Sequence, residues 1–189
     1  MKIYGTSNSN GKFLALILRH KPETIGIQLD QNGWARISDL IANWGQGRKK
    51  GLITESEIFE IVRTDDKNRY ELNEDQTKIR ARQGHSLSNV DVGLEQKVPP
   101  SVLYHGTVQK YIDLIKNSGG LIKGSRQYVH LSENIETAKQ VGGRRGTPVI
   151  IVVDSKRMSE EGVVFYQSTN GVWLTDFVDE KYFTNIDYQ

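Results

Sequence analysis

The chain has 189 residues, of which 37% are hydrophobic and 25% charged, with a formal net charge of +2 and no cysteine. That length and composition fit a soluble protein of one large or two small domains. Disulfides, thiolate metal sites and a thiol nucleophile are excluded, and at so small a net charge any nucleic-acid binding must come from local clusters of cations.

Residues Met1 to Asn10 contain Lys2 but no apolar signal core, so no secretion signal is expected. No apolar run approaches the ~20 residues of a membrane-spanning helix. A cytoplasmic monomer is the expectation, with no membrane partner. Lys12 to His20 carries Phe13, Leu14, Leu16, Ile17 and Leu18 and predicts a buried helix, stopped by Lys21-Pro22. Arg19 and His20 stand at its C-terminal end, where the helix dipole favours cations; they serve either that purpose or an anionic ligand.

Asn32-Gly33 predicts a turn and Trp34 to Ile37 a short strand. Ser38 to Trp44 reads as a short helix capped by Ser38. Gly45 to Gly51 is a glycine-rich loop holding Arg48, Lys49 and Lys50, either a solvated loop or a phosphate contact. Thr54-Glu55-Ser56-Glu57 is a capping box that opens a helix through Ile58, Phe59, Ile61 and Val62. Arg69 to Leu72 and Lys78 to Arg82 alternate as the two strands of a hairpin around Asn73-Glu74-Asp75. Helix, short strand, helix, helix and hairpin is the order of a winged helix, a fold that binds nucleic acid or protein. Lys67, Arg69, Lys78, Arg80 and Arg82 lie on or beside the hairpin and favour nucleic acid. Gln83-Gly84-His85-Ser86 follows as a polar turn with donors suited to phosphate oxygens.

Leu87 to Val98 is poor in large apolar residues and, with Pro99-Pro100, reads as a linker. Two domains are expected, 1–97 and 98–189. In the second, Val102 to His105 predicts a strand, Gly106 a tight turn, and Thr107 the cap of a helix through Tyr111, Ile112, Leu114 and Ile115 that ends at Gly119-Gly120. Ser125 to Ser132 predicts a strand with Tyr128, His130 and Ser132 on one face and Val129 and Leu131 on the other. It is either an ordinary edge strand or the polar face of an anion site entered through Arg126. Ser132 or Asn134 starts a helix through Ala138 and Val141, followed by the basic turn Gly142 to Gly146. Pro148 to Asp154 is the most apolar β run and is expected at the centre of a sheet. Val163 to Tyr166, Val172 to Thr175 and Tyr182 to Ile186 are further strands. The whole is an α+β chain.

No hydrolase, P-loop, dinucleotide-binding or metal signature is present, and the four histidines, His20, His85, His105 and His130, are dispersed. Arginine and histidine are instead what a phosphate monoester requires. It carries about −1.5 to −2 charges near neutral pH, and arginine meets it with a planar fork of donors.

Seven segments, in order across both halves, carry a resemblance. They are Leu-Arg-His-Lys-Pro-Glu (18–23), Asn-Gly-Trp (32–34), Asp-Lys-Asn-Arg-Tyr (66–70), Ile-Arg-Ala-Arg-Gln-Gly-His-Ser (79–86), Tyr-His-Gly-Thr (104–107), Arg-Gln-Tyr-Val-His-Leu-Ser (126–132) and Asn-Gly-Val-Trp-Leu-Thr (170–175). With them the chain resembles the NAD-dependent RNA 2′-phosphotransferase (tRNA 2′-phosphotransferase) family over nearly its whole length. The resemblance implies an N-terminal winged-helix lobe and a C-terminal ADP-ribosyltransferase-like, strand-rich lobe, with the active site in the cleft between them. It implies RNA with an internal 2′-phosphate, of the tRNA splice-junction type, as substrate, NAD⁺ as co-substrate, and no metal. The 2′-phosphate would pass to NAD⁺ through an ADP-ribosylated RNA phosphate, giving 2′-hydroxyl RNA, nicotinamide and ADP-ribose 1″,2″-cyclic phosphate. An alternative on the same scaffold is NAD-dependent ADP-ribosylation of terminal phosphates of RNA or DNA.

The family's catalytic set falls on Arg19, His20, Arg69 and Arg126. Lys67, Gln83, His85 and Ser86 match phosphate-binding positions. His105, Gly106, Thr107, His130 and Ser132 match ADP-ribose-binding positions, with Gly106 letting the backbone come close to the nicotinamide end. The chain departs from the family pattern at Arg82, where a smaller polar residue is usual, at Ile122-Lys123-Gly124 and at Asp179-Glu180. None of these removes a catalytic position.

Overall fold

The computed structural model describes residues 4–47 and 51–188; Lys2 and the loop cations Arg48, Lys49 and Lys50 lie outside it. Two compact units follow one another, residues 1–93 and 94–189, and each encloses its own apolar core. The division falls after Gly93 rather than after Lys97. The reason is local: Glu95 and Gln96 pair with a strand of the second unit, and the Lys97 amide donates to the Phe165 carbonyl at 3.0 Å.

In the first unit, helix α1 spans Tyr4–Arg19, starting earlier than its apolar residues require. Leu14, Ile17 and Leu18 are fully buried, a gross transfer gain of roughly 5–9 kcal/mol before entropy is counted. Pro22 stops the helix by opening a 3-10 turn, Pro22–Ile25, which Gly26 closes in the left-handed region at φ 69°. Strand β1, Ala35–Arg36, runs directly into α2, Ile37–Asn43. Arg36 therefore occupies the cap position, without a side-chain bond, and Ser38 lies inside the first turn instead of capping it. Helix α3, Glu55–Arg63, has the full capping box: Thr54 Oγ1 accepts from the Glu57 amide at 3.2 Å, and Glu57 Oε2 accepts from the Thr54 amide at 2.8 Å. Strands β2, Tyr70–Leu72, and β3, Lys78–Ala81, form the hairpin. With β1 they make an antiparallel sheet in the order β1-β3-β2. Trp44, fully buried, anchors the core with the Phe13 ring edge-on at 5.0 Å.

The second unit is richer in strands. In chain order it comprises β4 (Glu95–Gln96), β5 (Leu103–Val108), α4 (Ile112–Asn117), β6 (Gly120–Ile122), β7 (Val129–Leu131), α5 (Ile135–Gly142), β8 (Pro148–Val153), α6 (Ser155–Glu160), β9 (Tyr166–Gln167), β10 (Trp173–Thr175), β11 (Phe177–Asp179) and β12 (Phe183–Tyr188). Three antiparallel sheets result, ordered β12-β8-β5, β4-β9-β10-β7 and β11-β6. Strand β8 is central, as its apolar run predicts: Val149, Ile150, Ile151 and Val153 are buried, so both faces of the strand are covered. The mixture of helix and sheet is that of an α+β protein.

Several local expectations change. Gly106 does not turn the chain, and Thr107 caps no helix; both lie inside β5, whose pairing with β8 runs from Leu103 to Val108. Asn134, not Ser132, caps α5, its Oδ1 accepting from the amides of Glu136 and Thr137 at 2.8 and 3.2 Å. Residues 163–165 are not strand, and β6, β11 and α6 were not anticipated. Among the described residues no helix is long and apolar enough to cross a membrane.

Candidate active site

The N-terminal unit gathers its candidate residues where α1 ends. The last turn of a helix leaves carbonyls without intrahelical donors, and the segment following β3 supplies one: the Ser86 amide donates to the Arg19 carbonyl at 3.0 Å. The same residue's Oγ lies 3.0 Å from His20 Nδ1. Ser86 thus fastens the 83–86 segment to the helix end and sets the plane of the His20 imidazole, turning Nε2 to the far side of the ring. Gly84, at φ 89°, passes beneath the Arg19 guanidinium; a Cβ there would lie 3.6 Å from Arg19 Cζ and would be strained by the backbone angle.

Arg69 joins this corner through Tyr70. The phenol is buried and donates to the Gly11 carbonyl of α1 at 2.8 Å. Burial raises its pKa, while the fields of Arg69 and Arg19 act in the opposite sense, so both cations lie within electrostatic reach of one ring. Arg69 is itself held by Asp65, which sequence reasoning did not single out. Burial alone would lower the Arg69 pKa, but hydrogen bonds and charge from Asp65, with smaller contributions from Tyr70 and Asp66, hold it above its ordinary value.

The other hairpin cations are occupied. Arg80 and Arg82 share the two carboxylate oxygens of Glu71, Arg82 at 2.7 Å. Arg80 also lies over the Trp34 ring, 4.5 Å from its centroid, and donates to the Asn32 carbonyl. Arg82 Nε donates to the Tyr70 carbonyl at 3.0 Å. Lys78 lies 3.8 Å from Asp30. The count of basic residues therefore overstated the cationic surface of the hairpin. Glu71 was missed although the signal existed, since strand alternation sets it opposite Arg80.

His85 requires a correction. It is 1% exposed, and its Nε2 faces Gly33, where a Cβ would approach to 3.3 Å. Its ring nitrogens make no hydrogen bond of good geometry among the described residues. Desolvation first, then the charges of Arg19, His20 and Arg80, push its pKa down to about 4, and the Leu18 backbone opposes the shift only weakly. His85 is a neutral imidazole beneath the corner and does not present itself to a phosphate. Gln83 and Lys67 are partly buried and stay with the segments that carry Ser86 and Arg69.

In the C-terminal unit, β5 and β7 are joined by a bridge in which the amides of Tyr104 and Ser132 exchange hydrogen bonds with each other's carbonyls at 2.8 and 2.9 Å. This brings His105 beside β7, where its Nδ1 donates to the His130 carbonyl at 3.0 Å; His130 Nδ1 in turn donates to the Tyr128 carbonyl at 3.0 Å. A carbonyl can only accept, so each ring carries its proton on Nδ1. Desolvation, opposed by the bond to His130 and aided by Arg126, holds the His105 pKa below its usual value; the ring is neutral and its Nε2 is an acceptor. His105, His130 and Ser132 are therefore neighbours. Arg126 precedes β7. The residue is exposed overall; partial desolvation of its guanidinium and the charge of Arg145 lower its pKa, and among the described residues it has no carboxylate partner.

Gly106 and Thr107 have a packing role. A Cβ on Gly106 would lie 1.8 Å from the Ala138 carbonyl oxygen of α5. Thr107 is 8% exposed, and its carbonyl lies against Gly142. Both residues let β5 pack closely against α5.

Among the described residues no group of three or more His, Asp or Glu side chains is arranged to hold a metal ion. A family model for RNA 2′-phosphotransferases of the Tpt1/KptA type matches residues 6–177. The chain is 50% identical over 177 residues to a probable RNA 2′-phosphotransferase of Flavobacterium johnsoniae, covering 93% of this chain and 94% of that protein. It is 51% identical over 174 residues to a probable RNA 2′-phosphotransferase of Fusobacterium nucleatum, with 91% and 94% covered. To one of Escherichia coli O6:K15:H31 it is 48% identical over 167 residues, with 88% and 89% covered. With matches of this extent across both units, the chain belongs to the RNA 2′-phosphotransferase, Tpt1/KptA family.

Proposed function

We propose that this protein transfers an internal 2′-phosphate of RNA to NAD⁺. The N-terminal unit is a winged-helix lobe that binds the RNA phosphate, and the C-terminal unit is an ADP-ribosyltransferase-like lobe that binds NAD⁺. The observation that carries this reading is the corner at the end of α1, where Ser86 Oγ lies 3.0 Å from His20 Nδ1 and the charges of Arg19 and Arg69 both reach Tyr70, in a chain of this family. The Arg69 guanidinium and an oriented imidazole, with the charge of Arg19 beside them, suit a dianionic phosphate monoester.

In the first step a 2′-phosphate oxygen attacks the anomeric carbon of the nicotinamide ribose. The carbon–nitrogen bond breaks and nicotinamide leaves with the electron pair. In the second, the ribose 2″-hydroxyl attacks phosphorus and loses its proton, and the RNA 2′-oxygen leaves and takes one up. Arg19, His20, Arg69 and Lys67 hold the phosphate and offset charge developing at phosphorus. Holding both reactants in line supplies about 7–11 kcal/mol of barrier lowering in well-oriented systems.

The donor set of the C-terminal unit fits NAD⁺. His105 Nε2 and the polar side chains of His130 and Ser132 suit ribose hydroxyls, and Arg126, which has no carboxylate partner among the described residues, suits an anion. NAD⁺ supplies the electrophilic anomeric carbon and its leaving group.

Incubation with NAD⁺ and an oligonucleotide bearing one internal 2′-phosphate, followed by mass spectrometry, tests the reading. It should yield 2′-hydroxyl RNA, nicotinamide and ADP-ribose 1″,2″-cyclic phosphate in equal amounts. Phosphate removal without NAD⁺, or none at all, overturns it. Faster ADP-ribosylation of a 5′-phosphorylated oligonucleotide would replace it with transfer to terminal phosphates.

A further inference from the structure

We propose that the Asp65 carboxylate is a positioning residue for the second chemical step, fixing the plane of the Arg69 guanidinium so that one edge is committed to the protein and the other is left for the transferring phosphate. This rests on the reading of Arg69 as a phosphate-binding residue.

Asp65 lies just past the end of α3. The Asn68 amide donates to its backbone carbonyl at 2.9 Å, and Asn68 takes a left-handed φ of 47°, which bends the chain back so that Arg69 faces the Asp65 side chain. One carboxylate oxygen accepts from the Arg69 backbone amide. The other accepts from Nε at 2.8 Å and from Nη2. This side-on contact uses two of the five guanidinium N–H groups and leaves three. The Asp65 side chain is 3% exposed and that of Arg69 32% exposed, so the carboxylate is sequestered while the guanidinium still reaches solvent. Asp66, 3.8 Å away and 79% exposed, cannot compete for the same role, because a solvated carboxylate at that distance orients little.

Charge alone would argue against an aspartate here. A carboxylate beside an anion-binding arginine reduces its attraction for phosphate. Closing the turn does not require the guanidinium contact either, since the Asn68 and Arg69 amides already make it. What the second oxygen adds is orientation: an arginine fixed at one edge meets the phosphate without first losing its rotamer freedom.

The test is a double-mutant cycle on the full chain. ADP-ribosylated RNA and final product are followed in single-turnover reactions, and thermal midpoints are recorded for every variant. Arg69→Ala should slow the second step and accumulate the ADP-ribosylated RNA. Asp65→Asn should slow that step about 10- to 100-fold, the effect of losing a charge-assisted hydrogen bond, with the first step changed less than about 3-fold. Added to Arg69→Ala, Asp65→Asn should cost less than about 2-fold more. Equal factors in both backgrounds, or an unchanged second step in Asp65→Asn, overturn the proposal. If Asp65→Asn does not fold cooperatively, Asp65→Glu, which keeps the charge and moves the edge, takes its place in the same cycle with the same criteria. If Arg69→Ala leaves the second step intact, the reading of Arg69 fails instead. The positioning is then read from the Arg69 Nε–H resonance, which should exchange slowly in the native chain and rapidly in the Asp65 variant; equal exchange in both overturns it.

Discussion

Gly106→Ala separates packing from ligand approach. The added Cβ would lie 1.8 Å from the Ala138 carbonyl oxygen, 2.7 Å from its carbon and 3.0 Å from the Gly142 amide nitrogen. All three are backbone atoms of α5, so no side chain can swing away. Reaching an ordinary carbon–oxygen contact requires α5 and β5 to part by about 1.5 Å. Strand β5 is held along its length by the central strand β8, and α5 is pinned by the Asn134 cap. Overpacking costs about 1–3 kcal/mol and occasionally more, and with backbone on both sides the upper end applies. A loss of about 3 kcal/mol lowers the melting midpoint by roughly 6–12 °C in a chain of this size. Scanning calorimetry and NAD⁺ titration of the same variant provide the assay. A midpoint within about 2 °C of the native protein, together with lost NAD⁺ binding, would refute the packing account and return Gly106 to the ligand.

Ser86→Ala should lower turnover about 3- to 10-fold, the size of one hydrogen bond, with little change in melting midpoint, because His20 loses the partner that sets its plane; unchanged turnover would show that the 3.0 Å contact is dispensable. His85 has a folded-state pKa of about 4, below its unfolded value near 6.5. The stability that its neutral form contributes is therefore complete above about pH 6.5 and is lost as the pH falls toward 4, by roughly 3 kcal/mol. Urea titrations across that window should show a shallower loss in His85→Gln, and an equal slope would refute the burial argument. Glu71→Gln strips the partner from two arginines with side chains only 18% and 19% exposed and should cost about 2–4 kcal/mol. Glu60→Gln, which breaks an exposed pair, should cost under about 0.5 kcal/mol in the same denaturation assay.

What could be read from the sequence was whatever a short window determines. The capping box at Thr54, the hairpin around residues 73–75, and the central position of the Val149–Val153 run follow from caps, turn residues and apolar periodicity acting over a few residues. Gly106 went wrong for the opposite reason. Its justification is the carbonyl of Ala138, 32 residues away, and glycine in a turn and glycine beneath a helix look alike in one dimension. His85 shared the ambiguity of any histidine in a polar segment: only its burial against Gly33 turns an apparent phosphate donor into a neutral ring. The short strands β6 and β11 carry no alternating pattern of their own and exist because they pair with each other. Asp65 stood four residues before Arg69, but on a turn that spacing brings two side chains together only when a residue such as Asn68 adopts the left-handed conformation.

On the proposed reading, the arrangement of carboxylates leaves this basic hairpin with one arginine for a defined phosphate. Arg69, just before β2, and Glu71 on it flank the buried Tyr70 in sequence, so alternation places them on the same face. Glu71 is directly opposite Arg80, with Arg82 two residues further on, just past the end of β3. A single partly buried carboxylate thus takes up both arginines, and the Trp34 ring covers one of them. Left unpaired, those two would offer phosphate backbones a diffuse attraction that competes at every nucleotide. Arg69 is the exception on this face. Its carboxylate, Asp65, approaches from the side and takes only one edge, so charge and three donors remain. Removing Glu71 would therefore add cations, yet by this logic it should raise non-specific RNA affinity and its salt dependence without improving transfer of the 2′-phosphate.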